Sequence, residues 1–201
     1  EALFSLLGRH GRQLHAYANG LDRSPVSSAC QESAPKSIGN GLTFPRSLSG
    51  REEICSGIAM LSDRVAVRLR RAGMKAAGVS LAIRDPDFRD ISRQRRLEPP
   101  TCLARELSQA AVSLAEGCWN MDSPVRALTV TALYLISEDQ AGVQLDLLGQ
   151  ADAPRRDRLE RLDRTLDQIR AKYGRNAISP ASSAGVCQGG VQEEDEEGAT
   201  S

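Results

Sequence analysis

The chain has 201 residues, and its 26 basic and 26 acidic side chains give a formal net charge of zero. That length suits one ordinary domain with extensions, or two small domains. No apolar run approaches the roughly 18 residues that a membrane span requires. Glu1-Ala2-Leu3-Phe4 lacks the basic start of a signal peptide, and a first residue other than Met favours a fragment or a processed chain. We therefore expect a cytoplasmic protein with no membrane partner.

The cysteines and histidines do not form a recognisable site. No CxxC pair occurs, and neither His10 nor His15 stands at a motif spacing from a cysteine. A zinc site, a disulfide framework or a cysteine nucleophile is therefore disfavoured, and reduced thiols are expected. The five cysteines are Cys30, Cys55, Cys102, Cys118 and Cys187.

Charge is segregated along the chain. Residues 36–137 contain 15 basic and 10 acidic residues, a net of +5, whereas residues 138–201 contain 8 and 13, a net of −5. A basic middle beside an acidic end indicates an anionic partner for the middle region. An ordinary solvated surface could carry the same imbalance.

The first 35 residues predict a helical segment and a linker. Leu3, Leu6, Leu7 and Leu14 recur at helical spacing, and Gly20 is a stop signal, so a helical piece is predicted over residues 3–20. The polar stretch that follows is bracketed by prolines and has no periodicity. We assign residues 1–24 to a helical segment and residues 25–35 to a linker.

A compact pattern begins at residue 36. A first strand carries Ile38, Leu42 and Phe44 and ends at Pro45, and a capping box of Ser49 and Glu52 opens a helix that Gly73 closes. Four arginines on this helix are expected on its solvated surface, namely Arg64, Arg68, Arg70 and Arg71.

The second half of this region repeats the alternation of strand and helix. Val79, Leu81 and Ile83 form a second strand, the turn Asp85-Pro86-Asp87 joins it to a third strand over residues 88–97, and Pro99-Pro100-Thr101 opens a second helix. A fourth strand follows Pro124, with Leu128 and Val130 facing inward. The predicted fold class is α+β, in the order β-α-β-β-α-β, with a four-stranded sheet, two helices on one face and the other face open.

Beyond the compact region we predict a connector over residues 138–153, a charged helix over residues 154–174 and a disordered acidic tail over residues 175–201. The helix carries a narrow apolar seam and has no evident function beyond docking on its own domain. That seam consists of Leu159, Leu162, Leu166 and Ile169.

A series of short phrases in the middle region resembles the little finger domain of Y-family translesion DNA polymerases of the bacterial DNA polymerase IV type. They occur in that family's order and spacing. Residues 1–24 resemble the end of the thumb domain of the same family. The phrases are Lys36-Ser37-Ile38-Gly39, Thr43-Phe44, Val65 to Gly73, Val79 to Arg84, Asp87-Phe88, Ser92-Arg93-Gln94, Pro100-Thr101 and Pro124-Val125-Arg126.

The resemblance implies that the open sheet face holds the phosphates of a double-stranded primer–template DNA, largely without reading bases. Arginines, hydroxyls and amides on a sheet can follow a duplex backbone in this way, and the low aromatic content disfavours a stacking platform for single strands. Strand alternation leaves Arg93 and Arg95 open, because they share parity with Ile91 and Leu97 and would need a bulge or an edge strand. The candidate DNA-binding residues are Lys36, Ser37, Thr43, Arg46, Arg84, Arg89, Ser92, Arg93, Gln94, Arg95 and Arg96.

The resemblance also implies that catalysis takes place elsewhere. The palm carboxylates that hold the Mg²⁺ ions of such polymerases precede every phrase matched here, so we expect neither a cofactor nor catalysis in this fragment. Asp85 and Asp87 are better explained by a turn than by a metal site. The palm and fingers domains are missing partners of the same parent protein.

Residues Gln144, Leu145, Asp146, Leu147 and Leu148 resemble the short clamp-binding peptide of bacterial polymerases. Leucines on a flexible connector could enter an apolar pocket of a sliding clamp while Gln144 binds its rim. Alternatively, these leucines pack back onto the domain or onto the helix at 154–174.

Together these features predict a non-catalytic, DNA-binding and clamp-tethering fragment of a Y-family polymerase that acts in DNA damage bypass. The alternative is a stand-alone protein-interaction module that uses the open sheet face. Salt-sensitive DNA binding distinguishes the two.

Overall fold

The structure is a computed structural model and describes residues 2–22, 35–138, 153–174 and 177–178. The chain divides into two compact units, residues 1–34 and residues 35–201. The linker at residues 25–35, the connector and the acidic tail lie wholly or largely outside the described residues.

The first unit contains two helices, α1 (Ala2–Leu7) and α2 (Arg9–Ala18), where the sequence predicted one helical piece. Gly8 separates them with φ +53°, a left-handed conformation that glycine adopts without a Cβ clash. Gly20 ends the segment as predicted, with φ +70°. Several apolar side chains of this unit are exposed, Leu6 by 81%.

The second unit has the predicted α+β architecture. Its elements are β1 (Ser37–Leu48), α3 (Arg51–Arg71), β2 (Met74–Arg84), β3 (Asp90–Thr101), α4 (Ala104–Cys118), β4 (Val125–Ser137) and α5 (Ala153–Tyr173). The strands form one antiparallel sheet in the order β1-β4-β2-β3, so β1 and β3 are the edges. The β-α-β-β-α-β order is confirmed, and α5 follows it.

The core lies between the sheet and the two helices α3 and α4. One face of α3 is completely buried because its apolar residues recur every three or four positions. Alternate residues of β2 and β4 meet it from the sheet. The main contributors are Ile54, Ile58, Leu61, Val65 and Leu69 from α3, Leu107 and Ala111 from α4, Val79, Leu81 and Ile83 from β2, and Leu128 and Val130 from β4.

The first strand continues past Pro45, where the sequence predicted its end. The pairing of β1 with β4 shifts between Thr43 and Leu48. Arg126 holds this irregular stretch, since its Nη1 atom donates to the carbonyl oxygens of Phe44 at 2.6 Å and Pro45 at 3.1 Å. Proline is tolerated here because β1 is an edge strand.

The predicted capping box at the start of α3 is wrong. Gly50 is the N-cap residue, and no side chain caps it. The amide of Ser49 instead donates to Oε2 of Glu53 at 3.0 Å, one residue beyond the expected Glu52. The carboxylate of Glu53 also accepts two hydrogen bonds from Arg46, at 2.8 and 2.7 Å. Gly73 follows the helix with φ +62°, in agreement with the predicted stop.

The prediction that Pro99-Pro100-Thr101 opens the second helix is also wrong. Strand β3 begins at Asp90, runs through both prolines, and ends at Thr101, and α4 begins at Ala104. Its pairing with β2 shifts between Gly78↔Arg96 and Ala76↔Thr101, so the prolines fall in an irregular part of an edge strand. Oγ1 of Thr101 accepts the Leu103 amide at 3.0 Å just before α4.

Helix α5 docks on the rest of the second unit through ion pairs, in agreement with its predicted role. At the centre Arg70 donates to Asp163 at 3.0 Å and to Asp167 at 2.6 Å, with its own side chain only 5% exposed. The expectation that Arg70 belongs to a solvated helix surface is therefore wrong. The other pairs are Arg170–Asp63, Glu160–Lys75, Arg156–Glu106 and Arg164–Glu138. None of the described helices combines the length and apolar character needed to cross a bilayer.

Candidate nucleic-acid interface

The two faces of the sheet differ in what covers them. Val79, Leu81 and Ile83 point into the core beneath the helices, so the alternate residues Ser80, Ala82 and Arg84 point to the opposite side. We call that side the open face. From the pairing register it carries Ser37, Gly39, Gly41 and Thr43 of β1, Ala127, Thr129, Thr131 and Leu133 of β4, Ser80, Ala82 and Arg84 of β2, and Asp90, Ser92, Gln94 and Arg96 of β3.

Small and hydroxyl-bearing residues occupy the centre of the open face, so few side chains project far from the sheet there. A Cβ atom at Gly39 would lie 2.8 Å from Oγ1 of Thr131, and one at Gly41 would lie 2.5 Å from Oγ1 of Thr129. The two glycines therefore leave room for the threonines of the neighbouring strand. Such a surface lets hydroxyl donors approach a large partner closely.

Arginines occupy the β2–β3 side of the open face. Arg84 and Asp90 form a two-point ion pair, Nε to Oδ1 at 2.7 Å and Nη2 to Oδ2 at 2.9 Å. The hydrogen bond from Arg84 lowers the pKa of Asp90, and Asp90 in turn offsets the charge of Arg84. Arg96 instead lies over the ring of Tyr134, with Cζ 5.3 Å from the ring centroid.

The open face brings together about half of the predicted DNA-binding residues. Ser92, Gln94 and Arg96 lie together on β3, beside Arg84. Ser37 and Thr43 lie on β1, at the other edge of the sheet.

Arg93 and Arg95 do not lie on the open face. They pair with Leu81 and Val79, whose side chains enter the core, and no register shift occurs from Asp90 to Arg96. Nη1 of Arg95 lies 3.4 Å from Oγ of Ser113 on α4. Both arginines are exposed. Because β3 is an edge strand, Arg93 and Arg95 can be exposed although they lie on the helix side of the sheet, as strand alternation requires.

The remaining predicted residues lie at the ends of strands. Arg46 binds Glu53 through two hydrogen bonds of 2.8 and 2.7 Å, so its charge is engaged at the start of α3. Arg89 lies in the β2–β3 turn, where its amide donates to Oδ1 of Asp85 at 2.8 Å. Lys36 is exposed immediately before β1.

Sequence reasoning missed several open-face residues, among them Thr129, Thr131, Ser80 and Tyr134. Thr129, Thr131 and Ser80 could have been found, because each alternates with neighbours that the pattern had already placed inside. Tyr134 carried no such signal. Its φ of +53° interrupts the alternation, and only the structure shows it.

The described residues include three free cysteines, and their surroundings disfavour the thiolate. Burial raises the pKa of the Cys102 thiol to about 11 and also raises those of Cys55 and Cys118, the reverse of what activates a nucleophilic thiolate. Asp85 and Asp87 lie in the turn that joins β2 to β3, as predicted. No group of three His, Cys, Asp or Glu residues in the described part of the chain could hold a metal ion. The peptide Gln144 to Leu148 lies outside the described residues.

Comparison with known proteins gives a consistent result. The model of the impB/mucB/samB family C-terminal domain matches residues 35–147. Proteins named DNA polymerase IV are similar over most of this chain: that of Acetivibrio thermocellus is 37% identical over 174 residues, 87% of this chain and 43% of the relative. Those of Pelotomaculum thermopropionicum and Moorella thermoacetica are 35% and 36% identical, covering 91% and 94% of this chain and 44% and 46% of the relatives. The chain thus spans less than half the length of these relatives.

Proposed function

Because the chain belongs to the impB/mucB/samB family through its C-terminal domain, the Y-family region indicated by its sequence, we propose that residues 36–137 hold the backbone of duplex DNA against the open face. The observation that carries the proposal is the composition of that face, where glycines, hydroxyls, an amide and two arginines lie opposite α3 and α4, and where the carboxylate of Asp90 is paired with Arg84.

The chemistry of this surface fits a sugar–phosphate backbone better than it fits base edges. Hydroxyls and arginines donate to phosphate oxygens, and such contacts position a protein without carrying sequence information. The low centre of the open face admits the rounded outline of a duplex. Binding should therefore depend strongly on salt and weakly on sequence.

Fluorescence anisotropy of a labelled primer–template duplex, titrated with the full chain at several salt concentrations, tests this proposal. Gln94→Glu adds a negative charge to the open face, and the matched Gln109→Glu adds the same charge to an exposed position on α4. Repulsion of phosphates should weaken the Gln94→Glu variant by about three- to tenfold at low salt, while Gln109→Glu stays within about twofold of the wild-type protein.

Equal effects of the two substitutions on duplex affinity would show that the open face does not contact the DNA. If the wild-type chain does not bind duplex even at low salt, the DNA-binding proposal is wrong. That result would favour the alternative, a protein-interaction module that uses the same face.

For the parent protein we propose a Y-family translesion DNA polymerase, a nucleotidyltransferase acting in DNA damage bypass. The similar proteins named DNA polymerase IV support this role. In it, the palm and fingers would supply catalysis with Mg²⁺, and the present residues would hold the primer–template behind the reaction. The helices α1 and α2 would belong to the thumb, whose remainder would cover their exposed apolar side chains.

We further propose that Gln144 to Leu148 tether the polymerase to a sliding clamp. The order of a glutamine, a leucine, an acidic residue and two leucines supports this, together with its position after the domain. In surface plasmon resonance with immobilised clamp, the double variant Leu147→Ala/Leu148→Ala should bind at least about tenfold more weakly, because both apolar anchors are lost. Leu162→Ala, at an exposed leucine of α5, is the control. Unchanged binding of the double variant would contradict the tether.

A further inference from the structure

Tyr134 has a backbone conformation that a bulky residue rarely adopts. Its φ is +53°, inside a strand whose pairing with β2 continues on both sides, at Gly78↔Leu133 and Ala76↔Leu135. Positive φ at a bulky side chain is strained and persists only where the surroundings impose it. Leu133 still lies with the open-face residues, whereas Leu135 packs against the core.

The ring of Tyr134 lies on the open face, directly over Gly78. The residue after Gly78 is Val79, whose side chain is in the core, so a Cβ atom at Gly78 would point to the open face. There it would lie 2.7 Å from Cδ2 of Tyr134. Only glycine leaves space for the ring at this position, and Tyr134 as a whole residue remains 49% exposed.

Arg96 is the residue of β3 that pairs with Gly78, and its guanidinium lies over the same ring at 5.3 Å. This distance is within the range of a cation–π contact. Among the described residues, no salt bridge joins Arg96 to a carboxylate, in contrast to Arg84 with Asp90. An aromatic ring can orient a guanidinium without taking up its N–H donors, which remain available to an anionic ligand.

We propose that Tyr134 is a positioning residue that holds the Arg96 guanidinium on the open face, where it donates to a phosphate of the duplex backbone. Gly78 provides the space for this arrangement. The inference rests on the proposed DNA contact of the open face and adds a specific phosphate subsite at its β2–β3 edge.

A double-mutant cycle on duplex affinity tests the arrangement. Arg96→Ala should weaken binding by about five- to tenfold at low salt and reduce the slope of log affinity against log salt by about 0.9, the value of one phosphate contact. Tyr134→Asn removes the ring but suits a positive φ, so the fold is preserved. It should weaken binding by about three- to fivefold, the value of an exposed cation–π contact.

The two losses should not add, because both remove the same phosphate contact. Tyr134→Asn should therefore have no further effect in the Arg96→Ala background, and it should lower the salt slope although it removes no charge. Tyr134→Phe keeps the ring and should bind within about twofold of the wild-type chain. Thermal unfolding of each variant verifies that the domain remains folded.

Additive losses, or full affinity in Tyr134→Asn, would overturn the positioning role. If Gln94→Glu weakens binding while Tyr134→Asn does not, this inference fails and the proposed function stands. If the wild-type chain does not bind duplex, both fail together.

Discussion

Individual residues at the strand ends carry charges that are already engaged within the domain. Arg46 was a candidate DNA contact, but both of its terminal nitrogens bind Glu53 at the start of α3. The hydrogen bonds from Arg46 and from the Ser49 amide lower the pKa of Glu53 to about 2. The ion pair between Arg46 and Glu53 therefore links β1 to α3.

This ion pair predicts that the stability of the domain depends on pH. Because the pKa of Glu53 is lower in the folded chain than in the unfolded one, its stabilisation is present above the ordinary value of 4.5 and is lost as pH falls towards 2. Both side chains are about a third or more exposed, so solvent screening limits the effect to about 0.5 to 1 kcal/mol.

This dependence is measured by thermal unfolding of the Glu53→Gln variant at about ten pH values between roughly 2 and 7. The difference from the wild-type protein should appear above pH 4.5 and vanish near 2. Glu52→Gln removes the exposed carboxylate beside it and is the matched control. An equal pH dependence in both variants would contradict the assignment to Glu53.

Gly41 predicts a second residue-scale effect. A Cβ atom there would lie 2.5 Å from Oγ1 of Thr129, so Gly41→Ala should destabilise the domain by about 1 to 2 kcal/mol through overpacking. Gly117→Ala is the matched control, because a Cβ atom at that exposed helical position meets no atom within 4 Å. It should stabilise the chain by about 0.5 to 1 kcal/mol.

Chemical denaturation of both glycine variants provides the comparison. Adding Thr129→Ser to Gly41→Ala should recover part of the loss, since serine lacks the methyl group that restricts rotation of the hydroxyl. Equal stability of the two alanine variants would show that the open face can absorb the added carbon atom.

At the scale of elements, helix α5 is attached mainly by charge. Arg70 binds two carboxylates of α5 and the carbonyl oxygen of Cys102. Burial raises the pKa of Asp163 even though Arg70 acts to lower it, so the carboxylate depends on its partner. Leu162, in the middle of the predicted apolar seam, is 52% exposed.

Removing Arg70 should therefore loosen α5. Arg70→Ala leaves Asp163 and Asp167 partly buried without their cation, at a cost of about 2 to 4 kcal/mol. Limited digestion with trypsin should then cleave the arginine-rich helix faster. Arg71→Ala removes the neighbouring, exposed arginine and is the matched control.

Equal rates of cleavage in the two arginine variants would show that apolar contacts hold α5. Faster cleavage of wild-type α5 at high salt would support the ionic attachment, because partly exposed ion pairs are screened.

At the scale of the whole molecule, the ion pairs with α5 engage charges of both signs in the basic middle region. The excess of basic residues in 36–137 includes Arg70 and Lys75, and both bind carboxylates of α5. Arg156 and Arg170 of α5 in turn bind Glu106 and Asp63 of the same region, so α5 engages two basic and two acidic residues of it and does not account for the basic excess. The open-face arginines remain on the opposite side of the sheet from α3.

The sequence alone determined the α+β class, the order of elements and most of the core. These depend on local periodicity and turn residues, as in the stacked apolar positions of α3 and the alternation of β2 and β4. The resemblance of short phrases also identified the family. DNA contact, clamp binding and the domain boundaries remain predictions.

Only the tertiary structure decided which charges reach the open face. Arg93 and Arg95 follow strand parity to the helix side, and Arg70 is enclosed by a helix far along the chain. Tyr134 turns onto Gly78 through a positive φ that no local pattern indicates. The physical reason is that side-chain partners and strand register depend on contacts between distant segments, whereas periodicity reports only which residues are buried.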